Sequence, residues 1–76
     1  MADEFKFKIE ESYGVISEGS KGWTTELNLV SWNDRPAKFD IRSWDGEHKK
    51  MGKGISLTKS ELLKLREILN SFDFLE

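Results

Sequence analysis

The stretch ELNLVSWNDRPAKFDIRSW, residues 26–44, holds two strand patterns around one turn. In its first part, Leu27 and Leu29 share one face while Val30 and Trp32 lie on the other. A strand that is apolar on both sides is usually central in its sheet. "NDRP" (33–36) follows, with the only proline of the chain set among residues that favour turns. "KFDIRSW" (38–44) then alternates cleanly, Phe39 and Ile41 on one side, Lys38, Asp40, Arg42 and Trp44 on the other. Together these residues predict an antiparallel hairpin at the centre of a sheet.

Toward the N-terminus, "FKFKI" (5–9) alternates strictly and "YGVIS" (13–17) is rich in β-formers. "GSKG" (19–22) separates them from the central hairpin by a flexible break. Toward the C-terminus, "KKMGKGISLT" (49–58) reads as a supple corner leading into a helix. Thr58 followed by Glu61 fits a capping box, in which hydroxyl and carboxylate satisfy exposed backbone N–H groups reciprocally. At helical spacing Leu62, Leu65, Ile68, Leu69 and Phe72 fall on one stripe. Leu63, Phe74 and Leu75 add apolar surface beyond it. The reading is a single α+β domain over 1–76: strands at about 5–10, 13–19, 25–33 and 37–44, then a helix at about 59–71. One helix covers such a sheet only in part, so the surplus apolar residues predict a homodimer formed through the C-terminal helix.

The 76 residues contain no cysteine and one histidine, His48, so disulfides, thiolate zinc and a histidine metal cluster are excluded. No signal peptide or membrane-spanning run is legible, which predicts a cytoplasmic protein without membrane contact, nucleoid-associated if bacterial. No histidine stands beside a nucleophile, no GxSxG elbow occurs, and no carboxylates pair in a recognisable cleft. The chain reads as a non-enzyme without a cofactor.

The net charge of −2 conceals an asymmetry: residues 35–59 carry +4 and the remainder −6. A basic zone in an acidic chain points to a polyanion. Lys38, Arg42 and Trp44 form a basic, aromatic-bearing row on the outward face of their strand, and Lys21 with Trp23 repeats the pairing. Cations neutralise phosphate, and bases of unpaired strands stack on aromatic rings with little sequence preference. "GKG" (52–54) lacks the P-loop pattern, yet a lysine and glycine N–H groups before a helix can meet phosphate. Each feature has a structural alternative: tryptophans closing the ends of a core, glycines merely turning the chain. Trp32, mid-strand beside Val30, reads as core.

"ELNLVSWN", "KFDIRSW" and "KMGKGISLTKSELLKL", in that order, resemble the transcriptional coactivators typified by positive cofactor four. They are most similar to the small bacterial members called YdbC-like, over residues 21–69. The resemblance implies a curved four-stranded antiparallel sheet followed by a helix, a homodimer joined through the helices, and single-stranded DNA lying across the sheets. It places Arg42 of "DIR" and Lys53-Gly54 of "KGISL" in the binding surface. Lys38, Trp44, Lys21 and Trp23 fit the same roles. The expectation is a single-stranded DNA-binding protein of low sequence specificity acting in transcription regulation or DNA metabolism. The alternatives are an RNA-binding protein or a protein–protein interaction module using the same sheet face.

Overall fold

In a computed structural model describing residues 6–72, the turn at the centre of the fold takes its shape from two left-handed residues, Asn33 (φ 52°) and Asp34 (φ 64°). Asn and Asp tolerate this region because their short side chains hydrogen-bond locally. The Arg35 N–H closes the turn onto the Trp32 carbonyl at 3.0 Å, and the Ser31 hydroxyl donates to the Arg35 carbonyl at 2.7 Å. The strands on either side are β2 (Thr24–Trp32) and β3 (Lys38–Trp44), paired antiparallel from Val30 opposite Lys38 to Thr24 opposite Trp44.

N-terminal to them runs one strand, β1 (Phe7–Glu18), where the sequence suggested two. Its 12 residues lie along the 9 of β2, and three register shifts, at Ile9/Glu11, Ser12/Gly14 and Val15/Ser17, absorb the excess. Each bulge moves the side-chain parity by one, so the period-2 pattern breaks inside a continuous strand. That is why alternation read as "FKFKI" fades in "YGVIS". Lys21 (φ 59°) and Gly22 (φ 80°), both left-handed, turn the chain from β1 to β2.

The fourth strand lies where a flexible corner was expected. Met51–Leu57 forms β4, antiparallel to β3, and completes a sheet of order β1-β2-β3-β4. Its glycines answer to β3. A Cβ on Gly54 would collide with Arg42 Cβ and Cα and with the Ile41 carbonyl. A Cβ on Gly52 would stand 2.5 Å from Ser43 Oγ. Only glycine lets the two backbones approach this closely.

The helix α1 (Lys59–Asn70) begins at the expected capping box: Thr58 N–H donates to Glu61 Oε1 at 2.8 Å and Glu61 N–H to Thr58 Oγ1 at 3.2 Å. The bond from the Thr58 N–H, with the Thr58 side chain and the Lys38 charge adding to it, holds the Glu61 carboxyl below its ordinary range despite some desolvation. The helix lies on the sheet face bearing Leu27 and Ile41, which form an apolar groove with Leu62, Leu63, Leu65 and Leu69. None of its described residues is buried, and Ile68 and Phe72 stay half exposed. Phe5, Phe74 and Leu75 lie outside the described residues.

The opposite face holds the core. Five of the six buried residues in the described chain, Glu26, Asn28, Val30, Asp40 and Trp44, share it by register. The sheet is coiled so strongly that this face is concave. Phe7 pairs with Trp32 and Trp44 with Thr24, at diagonally opposite corners, yet the Phe7 and Trp44 ring centroids are 5.1 Å apart. Right-handed twist draws diagonal corners together, and the three bulges in β1 strengthen it.

Candidate nucleic-acid interface

The floor of the concave face consists of charges already paired. Asp40, fully buried in β3, accepts from Arg42 Nε at 2.6 Å and Arg42 Nη2 at 2.9 Å, and from the Ser56 hydroxyl of β4 at 2.9 Å. Arg42 sits two residues on, where strand pleating puts both side chains on one face. Its Nη1 reaches the Gly52 carbonyl at 3.4 Å, and its guanidinium carbon lies 4.7 Å from the centre of the Trp32 ring. Only 17% of the Arg42 side chain meets solvent. The arginine expected as a phosphate contact is therefore first the counter-ion of a buried aspartate. A bidentate pair stacked on an aromatic ring is the geometry in which arginine is hardest to replace.

A second cluster surrounds Glu26 of β2. Its carboxylate accepts from Thr24 Oγ1, from Asn28 Nδ2 at 3.1 Å, and faces His48 Nε2 at 2.9 and 3.0 Å. Burial pushes this carboxyl up, but hydrogen bonds from Thr24, Asn28 and His48, with the His48 charge, outweigh it and hold the group below its ordinary range. Sequence reasoning missed Glu26, Asn28 and His48. The signal available was two polar residues, Glu26 and Asn28, interleaved on the Val30–Trp32 face of a central strand, where unpartnered polar groups are costly.

Trp44 corrects the sequence reading most sharply. Expected as an outward stacking platform, it is fully buried, with the rings of Phe7 at 5.1 Å and His48 at 5.7 Å. The reason is the coil of the sheet: a residue on the outer row of a flat strand becomes interior when that face closes on itself. Trp32, read as core, is half-buried at the opposite end of the same face.

The cations lie on the rim. Lys21 is exposed in the β1–β2 turn, with Trp23 half-buried beside it. Gly46 packs against the carbonyl of Gly22, where an added Cβ would stand at 3.7 Å, so the β3–β4 loop with exposed Lys49 and Lys50 adjoins that turn. Lys38 is exposed at the far end of β3, roughly 20 Å along the strand from Trp44. Lys53 is exposed on the edge strand but falls in the irregularity opposite Ser43, out of register with the Lys38–Arg42 row. Gly54, opposite Arg42, is taken up by strand packing. The turn bearing Lys21 and Trp23 thus adjoins, at one end of the sheet, the loop bearing Lys49 and Lys50, while Lys53 follows on β4.

Among the described residues, no three His, Asp or Glu side chains converge as metal ligands, and no helix is long and apolar enough to cross a membrane. Residues 19–68 match the family described as Transcriptional Coactivator p15 (PC4). The chain is also similar to an uncharacterized protein of Treponema pallidum (strain Nichols), at 45% identity over 69 residues, covering 91% of this chain and 81% of that protein. The family match spans the hairpin and β4, which carry most of the concave face and its rim, and most of the helix on the other side of the sheet.

Proposed function

We propose that this chain, which belongs to the Transcriptional Coactivator p15 (PC4) family, binds single-stranded DNA across its concave sheet face with little sequence preference. The observation that carries the reading is the approach of the β3–β4 loop, with Lys49 and Lys50, to the β1–β2 turn, with Lys21 and Trp23, where Gly46 lies against the Gly22 carbonyl. Sequence-distant cations and an accessible ring come together, and Lys38 continues the positive rim toward the other end. Such a rim follows a sugar–phosphate chain, and Trp23 offers a face for a base. Arg42 adds to the field from below. Lys53 acts from the edge of the sheet, and Gly54 serves by letting β4 close on β3. The role that goes with this binding is transcription regulation or DNA metabolism in the cytoplasm, at the nucleoid in a bacterium.

The working unit is a homodimer formed through α1. Half-exposed Leu63, Ile68, Leu69 and Phe72 present more apolar surface than one helix on one sheet can cover. A second copy is the occupant this surface fits, because a small domain without disulfides gains stability by association. Sedimentation equilibrium of the wild type and of Leu69→Glu tests this, with a dimer expected for the first and a monomer for the second.

Fluorescence anisotropy of a labelled oligo-dT, at low and moderate salt, tests the binding itself. Tight binding that weakens with salt and resists competition by duplex of equal length supports the reading. Absence of binding at low salt would overturn it. Stronger competition by oligo-rU than by unlabelled oligo-dT would make RNA the ligand.

A further inference from the structure

The side-chain hydrogen bond that ties the β3–β4 loop to the sheet floor runs from His48 to Glu26. Apart from Gly46 packing against the Gly22 carbonyl, the loop is braced on itself. Asp45 Oδ1 accepts from the N–H groups of Lys49 and Lys50 at 2.8 and 3.0 Å, the Asp45 N–H donates to the Lys50 carbonyl at 3.1 Å, and the Asp45 carbonyl accepts from the His48 N–H at 3.0 Å. Residues 45–50 therefore form one small unit. His48 reaches inward from it with a left-handed backbone (φ 58°), its ring 5.7 Å from the Trp44 ring at an interplanar angle of 31°, its Nε2 on the Glu26 carboxylate.

Two further atoms mark this closed arrangement as incompletely satisfied. Trp44 Nε1, a donor, and Asn28 Oδ1, an acceptor, are buried on the same face without a hydrogen-bond partner. Unpaired buried polar groups are costly, and Trp44 Nε1, at the His48 end of the face, is a donor that an incoming polar group could satisfy. The His48 side chain, by contrast, remains 42% exposed, so its tie to Glu26 is open to competition by water and solutes. Glu26 keeps its bonds from Thr24 and Asn28 when His48 leaves.

We propose that His48 holds, in the free protein, the place of a nucleobase on Trp44, and that single-stranded nucleic acid binds by displacing it. The β3–β4 loop then swings as a unit about Asp45, Trp44 becomes a stacking platform, and Lys49 and Lys50 move with the loop along the bound strand. This rests on the nucleic-acid reading above and deepens it: Trp44 is shielded until ligand arrives. The latch lowers the apparent affinity by the fraction of time it is open, so a loop closed nine-tenths of the time weakens binding about tenfold.

The 76-residue chain labelled with fluorotryptophan gives one fluorine resonance for each of its three tryptophans, with Trp44 assigned by Trp44→Phe. The resonance is followed as oligo-dT is added, and oligo-dT affinity is compared between wild type and His48→Asn, which tolerates a left-handed backbone but brings no ring to Trp44. The expected result is a wild-type Trp44 resonance that moves on binding, a free His48→Asn protein whose Trp44 is solvent-accessible, and affinity raised about three- to tenfold in the variant. A wild type that binds with its Trp44 resonance unmoved, or a variant that binds no tighter, would overturn the latch while leaving nucleic-acid binding in place. Failure of both proteins to bind at low salt would overturn both readings.

Discussion

Arg42 grips Asp40 with two hydrogen bonds, 2.6 and 2.9 Å long, and in the same pose lies 4.7 Å from the centre of the Trp32 ring. The aspartate is fully buried and the arginine largely so, and between them they cross-link β3 to the far end of β2. Any role for Arg42 in binding a polyanion therefore has to coexist with a structural one.

Replacing this arginine should unsettle the fold. Arg42→Ala leaves the Asp40 carboxylate with only the Ser56 hydroxyl, and should cost about 3 kcal/mol, the low end for breaking a buried pair. Arg42→Lys keeps the charge but loses the paired donors and the stack, and should fall between. Urea denaturation measures both; an unchanged midpoint for Arg42→Ala would show that the pair stabilises nothing.

Glycine positions in the two edge strands should respond in opposite ways. Gly54→Ala drives a methyl into the Arg42 and Ile41 backbone of β3, which cannot yield as a flexible side chain could, and should destabilise by about 3 kcal/mol or more. Gly14→Ala, with nothing within 4 Å of the new methyl, should be tolerated within about 0.5 kcal/mol. Thermal melts of the two variants give the comparison directly.

The helix depends on its cap more than most, because none of its described residues is buried. Thr58→Ala removes the acceptor for the Glu61 N–H and should cost about 1 kcal/mol, read as an earlier melt and reduced helical circular dichroism. Thr58→Ser should restore most of it.

Acid should weaken the fold partly through Glu26. Its folded-state carboxyl lies below the ordinary value, so above about pH 6, well clear of the unfolded value, both states are ionised and the stabilisation is fully present. As pH falls, the unfolded chain takes up the proton first, and the contribution is gone once pH has dropped through the folded value. Asp45 and Glu61 are lowered likewise and share the trend. Wild type should thus exceed Glu26→Gln in urea midpoint at pH 7, with the gap closing toward pH 3. A gap that widens in acid would contradict the assignment.

Rim residues should separate by mechanism. Lys38→Ala should weaken oligo-dT binding uniformly across sequences and lessen the slope of log affinity against log salt by about 0.7, as loss of one phosphate contact on a single strand does. Trp23→Ala should cost about 1–3 kcal/mol of binding with the salt slope unchanged, as loss of a stacking ring does. Salt-dependent anisotropy of the two variants distinguishes these outcomes.

What was legible in the sequence depended on short-range chemistry. The turn at residues 33–36 is written in the left-handed tolerance of Asn33 and Asp34, the helix start in Thr58 and Glu61, and the two faces of β3 in strict alternation from Lys38 to Trp44. Each depends on residues within a few positions of one another, and "DIR" with "KGISL" carried the family. The strand hidden in "MGKGISL" was obscured because its two glycines, which look like flexibility, are demanded by the closeness of β3. Alternation also says which residues share a face, but not whether that face stays open. Three bulges in β1 and the twist of the sheet decided that, bringing Phe7 to Trp44 and Trp32 to Arg42 from opposite ends of the strands. His48 meets Glu26 across 22 positions because the pairing of β2 with β3 sets Glu26 beside the end of β3 from which the loop leaves. Strand pattern is a property of the backbone's period, whereas coil is summed over the whole sheet, so the burial of Trp44 and the pairing of the concave floor's charges belong to the tertiary structure alone.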